Sequence, residues 1–281
     1  MPWSKIEIST YWLVFVTSFL AAAIWESVAP RRRLVASAER RWTRHAVLLA
    51  VSLIAQSFIL RISPVMVAVI TTERAFGLLQ RMRLPAVISF AVAILLLDLG
   101  RYVTHRVFHS VRVLWRVHEV HHSDPEYDVS TAGRFHPIEV IVGQAAYLGT
   151  VAVLGPPVVA VLTAELLSVP TNFFGHMNAA LRGPAEKLLR TVFITPDLHR
   201  IHHSEEIAEQ SANFGQTFVF WDRLFGTYTA EPQAGNGGLI TGVRGLQNAT
   251  SLDLKFMLLQ PFGSWLQKET GSAVTPGPQP K

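Results

Sequence analysis

Residues 84–122 read LPAVISFAVAILLLDLGRYVTHRVFHSVRVLWRVHEVHH. The stretch is apolar and uncharged from Leu84 to Leu97 and takes its first charge at Asp98. It then carries His105, His109, His118, His121 and His122. A helix that crosses the hydrocarbon core needs about 20 mostly apolar residues. Such a helix is predicted here, with His105 and His109 continuing it just past its membrane end. Residues four apart lie one turn above the other on a helix face, so two imidazoles so placed can grip one metal ion. In His118-Glu-Val-His121-His122, offsets of three and four put all three rings on one side of a second helix.

The rest of the chain fits a membrane protein. Of 281 residues, 49% are apolar and only 16% charged, and the mean hydropathy is +0.29. Soluble domains carry about 25% charged residues, and disordered chains carry little apolar content. No cysteine is present, which excludes disulfides, thiolate metal sites and cysteine nucleophiles. Three further apolar regions stand out: Tyr11 to Ala29, Ala46 to Thr72 interrupted by Arg61 and Pro64, and Val140 to Ala164. The last is broken by Gly155-Pro156-Pro157 and predicts a helical hairpin. The N-terminal stretch is long, with no small-x-small cleavage site before the arginines, and is read as a retained helix.

The net charge of +5 does not call for nucleic acid, because cytoplasmic loops of membrane proteins gather basic residues. Segment 31–44 carries six arginines against Glu39, whereas 73–83 carries three against Glu73. The positive-inside rule therefore places 31–44 in the cytoplasm, and the helix count then brings both histidine-rich halves to that side.

Ten of the eleven histidines lie between His105 and His203. His199-Arg-Ile-His202-His203 repeats the spacing of the box at 118–122. His136, before Pro137, and His176, in Gly175-His176-Met177, stand near helix ends. A lone histidine is ordinarily a surface or core residue, and His45 is read so. The boxes are different: stacked imidazoles gain little from packing and repel when protonated, whereas imidazole suits iron, zinc, copper and nickel. One ion cannot use so many ligands, so two are expected. Nearby carboxylates that could orient the rings are Asp98, Glu119, Asp124, Glu139, Asp197 and Asp222. Asp98 lies seven residues before His105 on the same predicted face, where a charge is costly.

Together these pieces resemble the fatty acid hydroxylase/sterol desaturase superfamily of membrane di-metal oxygenases. The resemblance runs from Asp98 to Tyr228. It rests on the three boxes, Arg134-Phe-His136-Pro137-Ile-Glu139, Thr195-Pro196-Asp197, Asn213-Phe-Gly215 and Trp221-Asp222-Arg-Leu-Phe-Gly226-Thr-Tyr228. It implies an all-α fold, with about four transmembrane helices including the hairpin, capped by a cytoplasmic helical domain. It implies two iron ions held by His105, His109, His118, His121, His122, His176, His199, His202 and His203, although zinc can load the same ligands on isolation. Asp98, His136 and Asp197 are expected to orient ligands or face substrate. Some members carry a second histidine four residues after the one matching His176; here that position is Ala180, so one coordination position is filled differently or left open.

The implied activity is hydroxylation or desaturation of a lipid, a fatty acyl chain or sterol, with O2. No Gly-x-Gly-x-x-Gly follows a strand pattern, so electrons are expected from NAD(P)H through a separate carrier, a ferredoxin or cytochrome b5 with its reductase. The competing readings are a metal- or haem-binding transporter or sensor and a zinc hydrolase. Transport calls for polar residues within the spans. Hydrolysis calls for fewer ligands and a His-Glu-x-x-His motif, of which His118-Glu-Val-His121 is one residue short. Trp115, Phe173, Phe174, Phe214, Phe218, Phe220, Trp221 and Phe225 are available to line a substrate groove or to pack. The expected organisation is 1–97 transmembrane, 98–228 catalytic with the membrane hairpin 140–172, and 229–281 a loop with a disordered tail. The enzyme is expected to be multi-pass in a bacterial inner membrane or the endoplasmic reticulum, its site facing the cytoplasm.

Overall fold

A computed structural model describes residues 2–181, 183–247 and 249–263. The tail expected over 267–281 lies outside these. The described residues form helices and turns, with no strand beyond three isolated bridges. In chain order the helices up to the last histidine box are α1 (Pro2–Val28), α2 (Ala38–Ile59), α3 (Pro64–Glu73), α4 (Leu78–Met82), α5 (Ala86–Ser110), α6 (Arg112–His122), α7 (Pro137–Leu154), α8 (Val158–His176), α9 (Pro184–Leu189) and α10 (Pro196–His202). Five helical stretches are long and apolar enough to cross a bilayer: Ile6–Val28, Ala38–Met82, Ala86–Ser110, Pro137–Leu154 and Val158–His176. The chain is thus a multi-pass membrane protein of all-α class.

Local chemistry sets the ends of these helices. Pro64, Pro137 and Pro196 each occupy a first helical position, where no N–H is missed. The Ser63 hydroxyl caps α3 by accepting from Met66 N–H at 3.2 Å. The interruption expected at Arg61 and Pro64 is real: α2 stops at Ile59 and α3 restarts at Pro64. α3 does not lie loosely on the surface, since its Val65 and Ala68 are buried against Leu97, Val151 and Val161. The hairpin breaks where expected. Gly155 ends α7 with φ of 57°, and a Cβ there would come within 2.9 Å of Gly77 Cα. Only glycine at both positions lets the two turns meet so closely.

α1 and α8 run together toward the histidine end of the bundle. Ala22 and Ala23 pack with Val169, Phe173 and Met177, and Pro30 bridges to Ala179 beyond. α5 carries His109 in its last turn, α8 ends at His176, α7 begins beside His136, and α2 enters with Arg41 and His45. One end of the bundle therefore collects the histidines together with buried Arg41. Beyond residue 228 the chain is more than a loop: Leu254–Leu259 is helical, and Gln260 folds back onto Ser123 and Glu119.

Candidate metal centre

Nine imidazoles converge where α5, α6, α8 and α10 meet. They form two groups, His105, His109, His118, His122 and His202, and His121, His176, His199 and His203. Within each group the ligand nitrogens lie within 4.8 Å of one another. The groups cut across the sequence boxes. His118 and His122, one turn apart on α6, serve the first group, and His121 between them turns to the second. On α10 the pattern reverses: His199 and His203 serve the second group and His202 the first. A helix rotates about 100° per residue, so neighbouring positions in a box cannot face one ion.

Backbone carbonyls and one carboxylate fix four of the rings. His105 Nδ1–H donates to Phe214 O at 2.8 Å, His202 to Ala212 O at 2.7 Å, and His176 to Asn172 O at 2.8 Å. His118 Nδ1–H donates to Glu139 Oε1 at 2.5 Å. A carbonyl can only accept, so Nδ1 carries the proton and Nε2 presents a bare lone pair. Yet Nε2 of His105 lies 3.1 Å from that of His118 and 3.0 Å from that of His202. In the second group, Nε2 of His176 lies 3.2 Å from that of His121 and 3.1 Å from that of His199.

In the first group, where Nδ1 of His105, His118 and His202 carries the proton, the facing Nε2 lone pairs repel, and a cation between them makes the arrangement favourable. Two nitrogens at about 2.1 Å from one ion and at right angles are about 3.0 Å apart. His109 Nε2 and His203 Nε2 are likewise buried without a hydrogen-bond partner. The donor set fits metal ions of the imidazole-binding kind. Burial and neighbouring imidazoles keep the rings neutral. Burial holds His118 down at about 3, and His121, His122, His199, His202 and His203 lie well below the ordinary histidine value.

The loop at 212–215 supplies two of the anchoring carbonyls. Asn213 holds it with φ of 52°; its amide donates to Leu198 O at 3.0 Å and Thr229 O at 2.8 Å. Asp222 accepts from the N–H groups of Phe214 and Gly215, each at 2.8 Å. Burial pushes the Asp222 carboxyl up to about 6, against the pull of these donors. On the α6 side, Arg134 donates to Val120 O and Ser123 Oγ and also to His45 Nε2. His45 is a core residue within this network, its Nδ1–H donating to Ser130 Oγ at 2.8 Å.

Three expected residues sit elsewhere than beside the ligand rings. Asp98 accepts from Trp221 Nε1 at 2.9 Å; seven residues along α5 is about 10 Å, too far to reach His105. Asp197 pairs with Arg31 at 3.0 Å and Arg200 at 2.8 Å, on the side of α10 away from the rings. His136 caps α7, its Nδ1 accepting from Ile138 N–H at 3.2 Å, and its Nε2–H reaches Leu258 O at 3.3 Å. Of the carboxylates considered, Glu139 is the one that touches a ligand ring among the described residues. The carbonyl partners could not be anticipated, since any residue type supplies a carbonyl.

A cavity of about 340 Å³ opens from both groups into the bundle between α1, α5, α7 and α8. His105, His118, His121, His176 and His199 form its inner wall. Phe173 is the one aromatic of the expected groove set that lines it; Phe214 instead packs its ring on His105, His109 and His202.

The fatty acid hydroxylase family model matches residues 90–227, which hold all nine converging histidines, and this segment belongs to that family. The chain is 31% identical over 186 residues to ornithine lipid hydroxylase OlsE of Rhizobium tropici, covering 66% of this chain and 54% of that protein. It is 33% identical over 141 residues to human alkylglycerol monooxygenase, covering 50% and 30%. With Arabidopsis thaliana methylsterol monooxygenase 2-2 it shares 28% identity over 169 residues, covering 58% and 62%. The match therefore spans about half or less of the first two relatives' length. No solved structure matches the chain.

Proposed function

We propose that the chain is a membrane di-iron oxygenase that hydroxylates or desaturates a lipid, using O2 and electrons from NAD(P)H passed through a separate carrier, a ferredoxin or cytochrome b5 with its reductase. The observation that carries this reading is the convergence of nine neutral imidazoles in two adjoining groups at the head of a cavity within the bundle. Related proteins named for ornithine lipid, alkylglycerol and methylsterol substrates support a lipid as the class. Held by His105, His109, His118, His122 and His202 and by His121, His176, His199 and His203, iron would supply the activation of O2 that an unactivated C–H bond requires.

The protein's own part is binding, orientation and exclusion of water. Neutral ligands leave the full positive charge on the ions, and carbonyls from Phe214, Ala212 and Asn172 hold the rings without adding negative charge. Glu139 is buried and accepts a hydrogen bond from His118 Nδ1–H, which fixes that ring. The cavity gives a substrate a place within the bundle, against the inner wall of imidazoles. Six arginines at 31–44 support a cytoplasmic site, in a bacterial inner membrane or the endoplasmic reticulum.

The test is metal content per chain by mass spectrometry on protein from iron-supplied cells, followed by lipid oxidation under O2 with a reductase system. About two irons per chain and O2-dependent product are expected. His202→Ala should abolish product while membrane insertion survives. A single haem, no metal, or wild-type turnover in His202→Ala overturns the proposal.

A further inference from the structure

Arg101 sits one turn before His105 on α5, and both side chains line the same cavity. The uninterrupted apolar run before it, Ala86 to Leu97, is 12 residues, or about 18 Å of helix. That is shorter than the roughly 30 Å hydrocarbon core, so Arg101 stands near the boundary where lipid headgroups meet chains. A charge at such a depth is rare and is ordinarily paired.

Arg101 forms no ion pair among the described residues. Asp98 gives one oxygen to the Trp221 indole and interacts with Arg101 through space without pairing to it, and Glu139 gives one oxygen to His118. Glu165 lies close enough to interact with Arg101 through space but does not reach it. The guanidinium instead lies over the Tyr147 ring, 4.4 Å from its centroid. The Tyr147 hydroxyl is buried next to this guanidinium and has no partner besides it. Gln144, Ser168 and Gln216 add further polar lining. An empty apolar tunnel would need none of these groups.

We infer that Arg101 and Tyr147 bind an anionic oxygen group, a carboxylate or a phosphate, on the substrate. The planar guanidinium matches such a group with two parallel N–H donors, and the phenol adds a third. The inference rests on reading the cavity as the substrate's place. Four residues of helix separate Arg101 from His105, about 6 Å of rise. An amphiphile anchored at Arg101 therefore offers the metal groups the atoms close to its anionic end, not the far end of its chain. A sterol or alkane with no such group leaves the guanidinium without a direct ion pair. The volume agrees: about 340 Å³ is at the small end of ligand pockets and takes the reacting part of a lipid, not a whole one.

The test is binding of dodecanoate, dodecyl phosphate and dodecanol to the purified full-length protein in a neutral detergent, with metal content read on the same samples. Wild type should bind at least one anion ten-fold or more tighter than dodecanol, and which anion wins separates carboxylate from phosphate. Arg101→Gln should bring all three within about two-fold while metal content stays at the wild-type value. Arg101→Lys should keep part of the preference, and Tyr147→Phe should weaken the anions alone. Equal binding of the three by wild type, or an undiminished preference in Arg101→Gln, overturns the inference. These readouts need no turnover. Anion preference in a chain that holds no iron overturns the oxygenase reading and sustains this one; iron and oxidation without anion preference does the reverse.

Discussion

His122 and His203 lie ring on ring, with centroids 4.4 Å apart and planes 15° from parallel, although they belong to different ligand groups. The two groups are thus in contact through side chains as well as through the shared helices. Each His-x-x-His-His box lends its i, i+4 pair to one group and its middle histidine to the other.

This crossing predicts which substitutions behave alike. His122→Ala and His202→Ala, from different boxes, should lose the same ion; His121→Ala and His203→Ala should lose the other. Removing a partner of a ligand costs about 10–100-fold in metal affinity, and removing the ligand itself should cost more. A stepwise metal titration checks the pairing. Loss sorted by box, with His121→Ala resembling His122→Ala, would contradict it.

Glu139 should matter nearly as much as a ligand. It is 6% exposed, and its Oε1 accepts a hydrogen bond from His118 Nδ1–H. Glu139→Gln keeps the size but replaces the carboxyl that accepts from His118 with an amide. The first-group ion should bind about 10–100-fold more weakly, with the second-group ion little changed. Competition with a chelator of known affinity measures both.

Acid should destabilise the metal-free protein more than its helices alone require. His118 is held at about 3, and five further box histidines lie well below their ordinary value, because burial disfavours the charged ring. The unfolded chain takes up those protons near pH 6.5 and the folded chain does not, so stability is full above that pH and is lost as pH falls from about 6.5 toward the lowered values. Each such ring contributes a slope of about 1.4 kcal/mol per pH unit in that window. Bound metal acts in the same direction, since protonated imidazole cannot ligate. Thermal melting in detergent between pH 7.5 and 4.5 reads the slope; a flat profile would mean that the rings are protonated in the fold.

The arrangement behind these effects was legible in the sequence to different depths. Apolar runs and Pro and Gly breaks mark the helices because a bilayer allows few alternatives, and both the interruption at Pro64 and the turn at Gly155 fall where the residues place them. The nine converging histidines stand out because their spacing repeats. Their division into two groups does not, since it depends on how α6 and α10 rotate about their axes once packed. Asp98 illustrates the limit: position on a face predicts direction, not reach, and Trp221 arrives from 123 residues away to take its carboxylate. Glu139 sits 21 residues from His118 and becomes its partner only when α7 folds back beside α6.

The Arg41–Asp124 pair should act as a brace for α6. Arg41 is fully buried and donates to Asp124 at 2.7 Å and to Asp128 at 2.5 Å. Arg41, with His45 and Arg134 beside it, holds the Asp124 carboxyl well below the usual carboxylate range against the cost of burial. Asp124→Asn leaves a buried guanidinium short of one partner and should cost about 3 kcal/mol. Asp124 follows His121-His122-Ser123, so a lowered melting temperature should come with metal stoichiometry preserved in the folded fraction. Loss of metal without loss of stability would place Asp124 in the centre itself.

Asn213 is the sharpest test of the carbonyl anchors. It stands between Ala212 and Phe214, whose carbonyls hold His202 and His105, both of the first group. Its left-handed φ of 52° costs an ordinary residue about 1–2 kcal/mol, and its side-chain amide offsets that cost through bonds to Leu198 and Thr229. Asn213→Ala loses both the bonds and the tolerance for that conformation, while Asn213→Gly loses the bonds alone. Alanine should therefore weaken first-group binding more than glycine, and both should leave the second group, anchored through Asn172, near its wild-type affinity. Equal weakening of the two ions in Asn213→Gly would show that the loop supports the whole centre, not the rings it touches.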